Sequence, residues 1–67
     1  MRYNCRNIPW QGELFHFQRM PSDPTGNCAW AVTRRGEFIG TMPAVANETT
    51  RDFDVRSMGW VAELLKV

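Results

Sequence analysis

The sequence predicts an α+β domain: a three-stranded antiparallel meander packed against one C-terminal helix, with room for a fourth, N-terminal edge strand. Three short segments between turn residues alternate apolar and polar positions with period two and are rich in aromatic or β-branched residues, the pattern of half-buried strands. After Pro43 the pattern changes to an apolar stripe at near-helical spacing. A chain of 67 residues and 7.8 kDa has room for one small core and no second domain. A core of this size supplies about 3–5 kcal/mol of net stability.

The strands are expected at Glu13–Arg19, Cys28–Thr33 and Glu37–Met42. Pro9, Gly12, the loop from Met20 to Asn27, Gly36 and Pro43 punctuate them. Symmetric closure of the first loop sets Arg19 opposite Cys28, Phe17 opposite Trp30 and Phe15 opposite Val32, with Glu13 near Arg34. In the second connection, a two-residue turn at Arg35-Gly36 would ask arginine for a positive φ, which a residue with a Cβ adopts at a cost. A bulged turn with only Gly36 in the left-handed region avoids that cost. It pairs Val32 with Phe38 and Trp30 with Gly40, so that Phe38 and Met42 join Phe15, Phe17, Trp30 and Val32 on one apolar face. The other face, with Leu14, His16, Gln18, Ala29, Ala31, Thr33, Glu37, Ile39 and Thr41, is half polar, as befits the open side of an antiparallel sheet.

Thr49 or Thr50 can cap a helix whose first turn holds Asp52 and Asp54, where the helix dipole favours negative charge. Phe53, Trp60, Val61, Leu64 and Leu65 form its apolar stripe. A rival reading makes residues 51–56 a fourth strand before a shorter helix; the single helix is preferred. The segment Arg2–Ile8 alternates and suits an edge strand, with arginines that resist edge-to-edge aggregation. Trp10 falls outside every expected element.

Charge excludes the extreme classes of partner. Eight basic residues, seven of them arginine, face seven acidic ones, for a net charge of +1. A sequence-independent nucleic-acid binder carries a stronger positive balance, and in an acidic mimic of nucleic acid Glu48, Asp52 and Asp54 would not be interrupted by Arg51 and followed by Arg56. The chain has neither the apolar run of a signal peptide nor that of a spanning helix, so a cytoplasmic location is expected, with Cys5 and Cys28 as reduced thiols. The Asn47-Glu48-Thr49 glycosylation pattern then reads as chance.

No constellation points to catalysis. His16, Cys5 and Cys28 lack the paired spacing of a zinc site. In the expected register Cys28 and His16 lie on opposite faces, which separates a nucleophile from its base. The glycines match no phosphate-binding pattern. No cofactor, metal or enzymatic activity is therefore expected.

Two function classes remain. The first is a non-enzymatic protein-binding module, an inhibitor or accessory factor that masks a partner's surface, of the kind that phage and other mobile elements encode against host defences. Trp10, Arg19, Arg34, Arg35, His16 and Ile39 are its candidate contacts, because tryptophan and arginine anchor protein interfaces. The second is a nucleic-acid-binding module that uses Arg19, Arg34 and Arg35 at the sheet ends. For each group a plainer account exists: a solvated turn for the arginine pair, and a staple over the core for Trp10. An ion pair between Arg34 and Glu13 would count against the nucleic-acid class. Membrane association is not expected, and the chain would act as a monomer or a homodimer.

Overall fold

The computed structural model describes residues 4–21 and 28–66. The first residues of the expected N-terminal strand and most of the expected loop between the first two strands lie outside the described residues. Four strands, β1 (Cys5–Trp10), β2 (Glu13–Arg19), β3 (Ala29–Arg34) and β4 (Glu37–Pro43), precede one helix, α1 (Thr50–Leu64). The strands pair in chain order as an antiparallel sheet, and the helix covers one face. The N-terminal segment is thus a full edge strand, displaced toward the C-terminus of the expected span.

Trp10 is the last residue of β1, not an outlier between elements, and is half-buried against the core. It was missed because Pro9 reads as a break. A proline is tolerated on an edge strand, where its missing N–H faces the open side. The turn that follows, Gln11-Gly12, has φ of 48° and 78°. Such two-residue turns match the right-handed twist of the strands they join.

The second tight turn corrects the expected register. Arg35 and Gly36 take φ of 54° and 78°, so the turn has two residues and arginine occupies the left-handed region after all. The cost, about 1–2 kcal/mol, is offset by a turn whose twist fits the hairpin and by an ion pair from Arg35 to Glu13. Thr33 then pairs with Phe38, and the irregularity moves inward to the step between Val32 and Thr33, opposite Ile39. Below it Val32 pairs with Gly40 and Trp30 with Met42. Phe38 therefore points away from the helix and is 60% exposed, while Met42 stays in the core. Ile39, expected on the open face, is turned by the bulge to pack against the core, and Glu37, expected on that face too, pairs with Arg34 and falls on the helix side.

The first long hairpin is displaced by two residues from the symmetric closure: Phe17 faces Val32, Phe15 faces Arg34 and Arg19 faces Trp30. A displacement of two preserves every side chain's face, so the apolar set survives the error in partners. Ile8, Phe15, Phe17, Trp30, Val32 and Met42 form the sheet's share of the core.

The helix is continuous through residues 51–56, which settles the choice against a fourth strand there. Thr49 caps it, its hydroxyl accepting from the Asp52 N–H at 3.1 Å. Phe53, Ser57 and Val61, at successive spacings of four, are fully buried; Trp60 and Leu65 are partly so, and Leu64 is exposed. Phe53 makes an edge contact with Phe17 at 5.5 Å between ring centres and a tilted one with Trp30 at 4.7 Å. Ser57 fits because it is small and its hydroxyl donates to the Asp54 carbonyl at 3.0 Å. Gly40 lies under the helix, where an added Cβ would meet the Trp60 ring at 3.1 Å; its neighbour is Trp60 and not, as expected, Trp30.

The register makes opposite predictions for two residues of one strand. Met42→Ala should destabilise the protein by about 2–5 kcal/mol, whereas Phe38→Thr should stay within about 0.5 kcal/mol of wild type; urea unfolding followed by circular dichroism measures both. Gly40→Ala should cost about 1–3 kcal/mol by overpacking against Trp60, read in the same assay.

Candidate functional site

The six residues expected to contact a partner are not brought together. Trp10 and Ile39 are engaged with the core. Arg34 and Arg35 lie at the tight-turn end of the sheet, where both pair with Glu13, Arg34 at 3.7 Å. Arg19 lies at the opposite end, its guanidinium 5.5 Å from the centre of the Trp30 ring. His16 stands alone of the six on the open face. The ion pair set out above as counting against a nucleic-acid site is therefore present, and one carboxylate serves both turn arginines.

Arg19 borders a shallow cleft of about 220 Å³, shared with Trp30, Val45, Ala46, Asn47 and Glu48. Small-molecule sites typically enclose about 300–1,000 Å³, so this one is small for a free ligand. Its wall is built by an ion pair: Arg56 donates from Nε and Nη2 to the Glu48 carboxylate at 2.6 and 2.7 Å, and from Nη1 to the Pro43 carbonyl at 2.7 Å. This clamp ties the end of β4, the 44–48 segment and the helix together. Hydrogen bonding from Arg56 holds the Glu48 carboxyl below the usual range, against the opposing effect of burial, and the same bonds raise Arg56. On the other side of the helix, Arg6 grips Asp54 through two hydrogen bonds of 2.5 and 2.7 Å. Of the two aspartates expected in the first turn, only Asp52 lies there; Asp54, just beyond it, serves the sheet contact instead.

Among the described residues no group of three His, Cys, Asp or Glu side chains is placed to hold a metal ion. Cys5 is exposed, Cys28 is half-buried, and no disulfide joins them.

The open face of the sheet offers more. Alternation places Cys5, Asn7 and Pro9 of β1, Leu14, His16 and Gln18 of β2, Ala29, Ala31 and Thr33 of β3, and Phe38, Thr41 and Pro43 of β4 on it. None carries a formal charge, in a chain of which 22% is charged. The charged residues of the strands, Arg6, Glu13, Arg19, Arg34 and Glu37, all fall on the helix side. The polar groups of the face are largely satisfied within it. His16 Nδ1 lies 2.8 Å from Asn7 Oδ1 and His16 Nε2 3.4 Å from Gln18 Oε1, two acceptors of which a neutral imidazole bonds one, the nearer; Gln18 Nε2 donates to the Asn4 carbonyl at 3.1 Å. Phe38 and Leu14, 60% and 57% exposed, stand out of this neutral ground.

Comparison with known protein families, curated proteins and solved structures returns no match. No helix is long and apolar enough to cross a membrane among the described residues.

The clamp makes a prediction in pH. A carboxyl whose folded pKa is lowered contributes stability above its unfolded value, near 4.3, and loses it as pH falls through the folded value. Glu48→Gln should cost about 1–2 kcal/mol at neutral pH. The gap to wild type should then narrow between about pH 5 and pH 3, as shown by thermal melts across that range.

Proposed function

We propose that the chain is a small non-enzymatic protein-binding module, an inhibitor or accessory factor that covers a neutral surface of a partner protein with the open face of its sheet. The observation that carries this is the absence of formal charge from that face. Burying an unpaired charge costs several kcal/mol, and burying an unsatisfied polar group costs about 1–3 kcal/mol. A face without the first, and with His16, Asn7 and Gln18 already bonded to one another or to the backbone, loses its water cheaply. Phe38 supplies the exposed aromatic side chain that typically anchors such contacts, with Leu14 beside the His16 row.

The nucleic-acid alternative draws less support. Its arginines are split between the two ends of the sheet, and Glu13 offsets the pair at the turn.

Photo-crosslinking in the native host tests the reading. A benzophenone side chain at position 38 should capture a discrete protein partner, the same probe at Val55, exposed on the helix, should not, and Leu14→Lys should abolish the capture from position 38. Capture from the helix alone would overturn the assignment of the face. So would tight, steeply salt-dependent binding of random duplex DNA, the signature of phosphate neutralisation.

A further inference from the structure

We infer that in the absence of another partner the open sheet face pairs with the same face of a second copy of this chain. The inference rests on the reading of that face as a protein-binding surface and names its resting occupant. A two-fold contact sets each group against a copy of the same surface, so any charged residue there risks a like-charge neighbour. This face has none. Its hydroxyls, Thr33 and Thr41, can each donate or accept, so they can meet either kind of polar group on the facing sheet. With a net charge of +1 per chain, the copies repel one another only weakly.

The layout is also self-complementary. Phe38 stands on β4, at one side of the sheet, and Pro9 and Leu14 stand on β1 and β2, toward the other. A two-fold axis along the strands lays the β4 side of each sheet over the β1 side of its copy. Each Phe38 then falls toward Pro9 and Leu14 of the facing sheet, in the aligned packing that sheets adopt about 10 Å apart.

The size of the face sets the strength of the contact. Strands of 6 or 7 residues span roughly 20–24 Å, and four abreast roughly 19 Å. Two such faces bury on the order of 800–1,200 Å² in all, the range of weak, exchangeable interfaces. The second copy therefore covers the face without locking it, and a partner that binds there competes with self-association.

Analytical ultracentrifugation of the full chain under reducing conditions, so that the exposed Cys5 cannot link copies, tests this. The weight-average mass should rise from 7.8 kDa toward twice that value across the micromolar to millimolar range. It should change little with salt, because no ion pair crosses the contact. Phe38→Glu should move the midpoint at least about tenfold higher in concentration, equivalent to about 1.4 kcal/mol. Leu14→Lys should act in the same direction, and Val55→Glu on the helix should have no effect. Circular dichroism identifies any variant that is misfolded, and the other face variant then decides the matter. A monomer at every concentration overturns the inference but leaves the capture of a different protein from position 38 as an independent result. A dimer indifferent to both face variants, or equally weakened by Val55→Glu, places the contact elsewhere and overturns it too.

Discussion

The Phe53 ring, seated against Phe17 and Trp30, is the contact on which the rest of the structure depends. The chain has one helix with which to cover one face of a four-stranded sheet, and an exposed aromatic face would otherwise cancel what the strands gain by pairing. Ser57, one turn further on, keeps the helix close where a larger side chain would lift it away. Gly40 does the same from the sheet side by leaving room for Trp60. Arg6–Asp54 and Arg56–Glu48 then close the flanks of the seam with paired charges. Part-buried pairs of this kind add modest stability, but they fix where along the sheet the helix lies.

That docking has a consequence for the opposite face. The paired charges engage the helix, the 44–48 segment or the tight turns, so the strands' charged residues are drawn to the helix side, where partners exist. What remains on the far side is small, neutral and internally bonded. The neutrality of the open face is thus a by-product of how the covered face is held, and it is also what fits that open face for contact with another protein. Among the described residues Arg6, Arg34, Arg35 and Arg56 are paired with carboxylates of the chain itself.

Much of this was legible in the sequence. Alternation located β2, β3 and β4 to within a residue or so, and threonine capping with an apolar stripe located the helix. The apolar face composed of Phe15, Phe17, Trp30, Val32 and Met42 emerged even though the partners across the first hairpin were displaced, because parity is insensitive to a displacement of two. The failures came where a local rule was outweighed. Arg35 accepts a positive φ because hairpin twist and Glu13 favour it. That choice sends Phe38 outward and Ile39 inward, and so decides which residues a partner can reach. Ser57 was missed because periodicity counts apolar residues and not small ones. The candidate site was hardly visible at all: residue types that favour interfaces drew attention to Trp10 and the arginines, whereas the informative signal was an absence of charge along one parity, which appears only once the register is known.

Sequential pairing of the strands carries an implication for the order of events during synthesis. Each hairpin joins neighbours in the chain, so the sheet can begin to form as soon as its residues emerge. The ion pair between Arg6 and Asp54 joins positions 48 apart, and Phe53 belongs to the same late segment. Until residues 53–61 have left the ribosome, the nascent meander has its aromatic face bare, because Phe53, Ser57 and Val61 are the helix residues buried against it.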